Sequence, residues 1–227
     1  MLVAAALVVL AVLLSTYIAT SSGPAVKGVM VRLPAGSPVS ARAVRAAAEP
    51  AIRGGLLAVN LAAVQKRVEA LAWVKQAEVR RLWPDALVIV VTPERAVARW
   101  GDSALLDASG HIFAPGAASA LSSLPRLQGP KADAMTLFVE FKAARGALAP
   151  LGLRPNSFVE NPRGEVVITL AGGTRIELGR KDPRAKLARF ITVAAPALGT
   201  ALARAASVDM RYANGFAVGW KREGQHG

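Results

Sequence analysis

Side chains able to do chemistry are few in this chain. Its two histidines, His111 and His226, stand far apart, and neither is followed three or four residues later by a metal-type partner. There is no cysteine, which removes disulfides and thiolate metal sites and is compatible with either the cytosol or a periplasm. The 15 acidic residues are dispersed. Asp102 and Asp107 are close enough in sequence to act as the acid and base of a hydrolase. However, Asp107 opens Asp-Ala-Ser-Gly, whose residue types make a tight turn, and a hairpin with turn acids accounts for both better. No Gly-x-Ser-x-Gly, Walker A or Gly-x-Gly-x-x-Gly sequence occurs. The pattern argues against an enzyme, a cofactor and a metal centre.

What remains is chemistry of binding. Asn214-Gly215 lies between two alternating stretches, 207–212 and 216–221, which is a short-range hairpin signal. A strand that ends a chain often has one edge free, with a row of unpaired N–H and C=O groups able to recruit an extended segment of another protein. Tyr212 and Trp220, on either side of the expected turn, can supply aromatic anchors. Phe216, Val218 and Trp220 share one face by alternation and can pack inward while the edge stays open. A basic run, Arg175, Arg180, Lys181, Arg184, Lys186 and Arg189, either meets lipid phosphates or forms the wet side of a helix.

These groups must be positioned by the elements around them. Residues 2–20 carry no charge and are apolar on every side. As a helix at 1.5 Å per residue they extend about 28 Å, close to the ~30 Å of a bilayer core, and are expected to be a retained transmembrane helix rather than a cleaved signal peptide. All 28 Lys and Arg follow residue 26, whereas basic loops normally stay cytoplasmic. That oddity raises the expectation of a basic cytoplasmic tail missing from this chain. Residues 21–25 form a linker. From 26 to 94 the order is strand, helix, helix, strand, strand, with Ser40 and Asn60 as helix N-caps and residues 83–85 as a turn. From 95 to 223 short strands dominate: 96–100, 104–107 and 111–113, then a loop over 114–130 rich in Ala, Ser, Gly and Pro. A helix over 132–148 follows, then strands ending in a Gly172-Gly173 hairpin loop, a helix from Pro183, and the terminal hairpin. Residues 224–227 are a tail. The expected class is α+β: a β-α-α-β-β domain, then a domain of mostly antiparallel strands with flanking helices.

The net charge of +13 and the isoelectric point near 11.2 suit nucleic acid or anionic lipid as partner. The bases are scattered and few aromatics interleave them, so a solvated basic surface explains them as well. A salt-sensitive lipid or nucleic-acid binder is one alternative, and a chaperone or translocation module is another. The latter lacks the barrel of roughly ten-residue alternating strands that would follow such a module.

Residues 73–85 (WVKQAEVRRLWPD), 96–100 (AVARW), 107–113 (DASGHIF), 178–180 (LGR), 187–190 (LARF) and 208–220 (VDMRYANGFAVGW), taken in order, resemble the FtsQ/DivIB family of bacterial cell division proteins. The resemblance covers nearly all of the chain after the apolar stretch. It implies a bitopic inner-membrane protein with its N-terminus cytoplasmic, and with a periplasmic POTRA domain and β domain. It also implies enrichment at the division septum and no enzymatic activity. It further implies a divisome scaffold that binds FtsB and FtsL, with no nucleic-acid or small-molecule ligand, and that adds a segment of FtsB as a strand to its last strand. Positions matching the family's contact set are Arg163, Arg180, Phe190, Val193, Arg211, Tyr212, Asn214, Gly215, Gly219 and Trp220. Here Ala194-Ala195-Pro196 stands where the family has a shorter Tyr-Pro ending to the helix. Ala213 and Phe216 also differ from the charged and small residues expected.

Overall fold

The computed structural model describes Leu10 and residues 23–114, 123–130 and 133–221. The expected span at 2–20, apart from Leu10, and the expected tail at 224–227 lie outside the described residues. Contacts divide the chain into two compact units, Met1–Glu94 and Arg95–Gly227.

In the first unit the elements are β1 (Gly28–Arg32), α1 (Ala41–Ala48), α2 (Leu61–Glu69), β2 (Val74–Leu82) and β3 (Ala86–Pro93). The strand richest in β-branched residues, β3, takes the middle of the sheet, in the order β1-β3-β2. It runs parallel to β1 and antiparallel to β2. Leu87, Ile89 and Val91 on one face of β3 meet Val44 and Ala48 of α1 and Val64 and Val68 of α2 in one buried cluster. Both helices start on the expected caps. Ser40 Oγ accepts from the Ala43 N–H at 3.1 Å, and Asn60 Oδ1 accepts from the Ala63 N–H at 3.0 Å. A register shift between Val74 and Gln76 moves β2 by one position. Val74 therefore joins Ala77 and Val79 in the core, and Trp73 packs at its margin.

The second unit holds β4 (Ala96–Trp100), β5 (Ala104–Asp107), β6 (Ile112–Phe113), β7 (Arg126–Gln128), α3 (Ala134–Leu148), β8 (Pro155–Glu160), β9 (Val166–Leu170) and β10 (Arg175–Gly179). It continues with α4 (Pro183–Arg189), α5 (Ala195–Leu198), β11 (Ala205–Asp209) and β12 (Ala217–Trp220). The strands make a nine-stranded sheet in the order β12-β11-β10-β9-β8-β7-β4-β5-β6. Most neighbouring pairs are antiparallel; β10 with β11, β4 with β7 and β7 with β8 are parallel. Leu137, Phe141 and Leu148 of α3 and Leu187 of α4 share a core with the sheet residues Leu127, Phe158, Ile168, Ile176 and Val208.

Three expectations are corrected here. The stretch 114–130, read as loop, contains β7, which joins β4 to β8; residues 115–122 of it lie outside the described residues. A three-residue strand with one buried apolar residue, Leu127, is too short to show any period. The β9–β10 loop holds three residues rather than the pair Gly172-Gly173, because the Leu170 N–H donates to the Thr174 carbonyl. Gly173, at φ +84°, supplies the left-handed position. The terminal hairpin is also longer than expected, as described below.

The helix that starts at Pro183 continues through a π turn (Phe190–Ala194), α5 and a 3-10 segment to Arg204. The wide turn falls just before Pro196, which has no N–H to donate, and the Ala195 N–H reaches back five residues to the Phe190 carbonyl. Among the described residues this run is long and apolar enough to cross a bilayer. Its Leu187, Phe190, Ala194 and Leu202 are instead covered by the sheet of its own unit.

Leu127 is fully buried, so Leu127→Ala is expected to cost about 2–5 kcal/mol of stability in the second unit. Denaturant unfolding followed by a probe in that unit checks this, and an unchanged midpoint contradicts the placement of β7 in the core.

Candidate protein-docking edge

The last strand, β12, ends the nine-stranded sheet, and among the described residues no strand pairs with its outer side. Its inner side is antiparallel to β11, with Asp209 opposite Ala217, Val208 opposite Val218, Ser207 opposite Gly219 and Ala205 opposite Trp220. Phe216 and Val218 pack against the core. Trp220 shares their face by alternation yet is 53% exposed, at the end of a register that shifts between Ala205 and Ser207. Gly219 is required by closeness: a Cβ there would lie 2.7 Å from Ser207 Oγ. Tyr212 is 57% exposed in the connection before the strand.

That connection is not a two-residue Asn-Gly turn. Asp209 already pairs with Ala217, so the loop spans 210–216, and neither Asn214 nor Gly215 has the positive φ that such a turn demands. A cation organises the loop instead. The Arg189 guanidinium, on α4, donates to the carbonyls of Met210 at 3.2 Å, Tyr212 at 2.5 Å and Gly215 at 3.0 Å, and also to that of Ala213. Its planar fork of donors thus replaces the hydrogen bonds of a tight turn. At the other end of β12, Lys221 Nζ donates to the carbonyls of Gly172 and Ala203, both at 2.9 Å. The edge strand is therefore fastened at both ends to its own unit. Sequence reading placed Arg189 in a run facing solvent or lipid and did not single out Lys221; no spacing rule links either cation to carbonyls so far along the chain. Elsewhere in that run Arg184 pairs with Glu140 at 3.2 Å and Arg175 with Glu177 at 3.4 Å.

Arg211 grips Asp209 through two bonds, Nε to Oδ1 at 2.9 Å and Nη2 to Oδ2 at 2.7 Å, and reaches Glu177 at 3.4 Å. The hydrogen bond from this guanidinium holds the Asp209 carboxyl below the usual carboxylate range, against the opposing effect of burial. Gly179, at φ +67°, makes room for Arg211, whose Cγ would lie 3.0 Å from a Cβ at that position. Arg180 follows at the end of β10, exposed, with its aliphatic stem across Gly164. Gly164 belongs to the β8–β9 turn that carries Arg163. Asn161 holds this turn by accepting from the Arg163 and Glu165 N–H groups at 2.9 and 3.0 Å. Arg163 and Arg180 thus come from adjacent corners of the sheet. Val193 is 50% exposed in the π turn. Phe190, also in the expected contact set, has its side chain fully buried in the core. Its burial sets the seat of α4, and so of Arg189, over the sheet.

The two carboxylates considered as a catalytic pair are engaged otherwise. Asp102 pairs with Arg126 at 2.8 Å. Asp107 Oδ1 accepts from the N–H groups of Ser109 and His111, both at 2.8 Å, as a turn acid does.

Comparison with known proteins gives the same picture along the chain. Residues 98–211 match the family described as cell division protein FtsQ/DivIB, C-terminal, and residues 37–94 match the POTRA domain, FtsQ-type. The first match stops at Arg211, so Tyr212 and β12 lie beyond it. A cell division protein FtsQ from Allochromatium vinosum is 36% identical over 169 residues, which is 74% of this chain and 67% of the relative. One from Xanthomonas campestris pv. campestris is 36% identical over 79% of this chain and 64% of its own length. One from Coxiella burnetii is 32% identical over 75% and 70%. The chain thus spans about two thirds of the relatives' length.

Removing the Arg189 fork, by Arg189→Gln, is expected to accelerate amide exchange across residues 209–218 and leave β1–β3 unaffected; uniform protection across both would contradict a loop held by this side chain. The Asp209–Arg211 pair has a defined acid dependence. With the folded carboxyl depressed below its ordinary value of 3.8, the pair contributes fully above that value and fades as pH falls through the lower folded one. Thermal melts taken from neutral pH into strong acid should therefore lose more stability in the native chain than in Asp209→Asn.

Proposed function

The chain belongs to the FtsQ/DivIB family of cell division proteins, and on that premise we propose that it is a non-enzymatic scaffold of the divisome. In this reading residues 2–20 cross the inner membrane once with the N-terminus in the cytoplasm. The two folded units lie in the periplasm, enriched at the septum. They link early and late division proteins during septum formation. The partners are FtsB and FtsL, and an extended segment of FtsB adds to the outer edge of β12.

One observation carries the reading: β12 closes the nine-stranded sheet with its outer side unpaired among the described residues, beside two half-exposed aromatics. Strand addition draws its affinity from main-chain hydrogen bonds and its selectivity from side-chain anchors. In this reading Tyr212 and Trp220 supply those anchors, and Arg163, Arg180, Arg211, Asn214, Gly215, Gly219 and Val193 complete the contact set. Truncating either aromatic, as Tyr212→Ala or Trp220→Ala, is expected to weaken FtsB capture by about 1–3 kcal/mol or more. Isothermal titration of the purified chain with FtsB measures it, and full affinity in both variants sinks the edge site.

A further inference from the structure

One end of the first unit gathers three large apolar side chains that nothing in that unit covers. Trp83 is 64% exposed, Leu57 48% and Leu82 42%; between residues 23 and 94 only Met30, in the middle of β1, is a further such residue. Arg81 donates from Nε to the Leu56 carbonyl at 2.7 Å and from Nη2 to the Leu57 and Val59 carbonyls, which fixes the 56–59 loop beside the end of β2. Leu82 and Trp83 follow directly. The start of β1 belongs to the same end, because the Lys27 N–H donates to the Asp85 carbonyl at 2.7 Å and the Leu56 N–H to the Pro24 carbonyl at 2.7 Å. Gly23 itself lies against Leu57, whose Cγ would be 3.1 Å from a Cβ there.

Gly23 is three residues from Thr20, the last residue of the uncharged stretch. Three residues reach at most about 10 Å. If 2–20 crosses the bilayer, Gly23, and with it Leu57, is tethered within about 10 Å of the hydrocarbon boundary, where the headgroup layer begins. Trp is the side chain most at home in that layer, with an apolar body and a single donor. Lys27, which pairs with Asp85 at 3.3 Å, and the exposed Arg53 lie near the same end, and Arg53 suits anionic headgroups. We infer that the Leu57–Leu82–Trp83 end of the first unit seats in the lipid headgroup layer, so that this unit is held on the membrane surface rather than swinging free on its linker. The inference rests on the membrane-anchored reading above.

Because the natural chain has no cysteine, single-cysteine variants take one label each. The test reconstitutes full-length Trp83→Cys and Leu57→Cys in vesicles of phosphatidylcholine with phosphatidylglycerol, each carrying a polarity-sensitive fluorophore. Thr92→Cys serves as reference, exposed near the far end of β3 and about 20 Å from its start. The expected result is blue-shifted emission at 57 and 83, with quenching by nitroxide-bearing lipids roughly twofold or more above that at 92. A chain that floats with the vesicles while labels at 57 and 83 are as wet as at 92 overturns the seating alone. Labels shielded from aqueous iodide yet blind to the lipid nitroxide overturn it in favour of a protein cover. A chain that fails to float with the vesicles overturns the anchor and the seating together.

Discussion

Every strand in a sheet has two rows of main-chain donors and acceptors, and the end strand satisfies only one of them within its own fold. In the second unit this constraint falls on the two-residue β6 and on β12, and the structure next to β12 holds that strand at both ends. Arg189 gathers the carbonyls of the preceding loop, and Lys221 ties the strand's far end to the carbonyls of Gly172 and Ala203. Both devices use a cation on main-chain oxygens rather than on carboxylates. Neither spends the strand's own outward groups. An edge ordered beforehand loses less conformational freedom when a partner arrives.

The same logic runs back through the unit. Phe190 is fully buried and seats α4 on the core, which places Arg189 over the 210–216 loop. The π turn that follows accommodates Pro196 without ending the helix. Gly179 and Gly219 give up side chains so that Arg211 and Ser207 can approach. The short β7, buried through Leu127, joins β4–β6 to the rest of the sheet. The first unit solves a different problem, covering one face of a three-stranded sheet with two helices. Arg81 does there what Arg189 does in the second unit, bracing a loop by its carbonyls.

Local chemistry was legible wherever its cause was local. Ser40 and Asn60 cap helices because a cap needs only its own next three residues. The strands of the first unit follow from alternation and from the β-branched run in β3. By contrast, Asn214-Gly215 read as a tight turn and the loop formed otherwise, since a guanidinium some 25 residues earlier in sequence supplied hydrogen bonds that no window of neighbouring residues contains. The burial of Phe190 was not legible, because sequence position says nothing about which face of a helix meets a sheet not yet built.

The chain by itself therefore determined its class, the order of elements in the first unit, the helix starts at Ser40 and Asn60 and the presence of a terminal hairpin, because each of these is decided by periodicity or by groups a few residues apart. Only the tertiary structure decided the register shift in β2, the joining of the sheet through β7, the inward turn of Phe190 and the fastening of the edge by Arg189 and Lys221. Those depend on which distant main-chain oxygens are left without donors once the core has closed, a quantity that does not exist until the chain is folded.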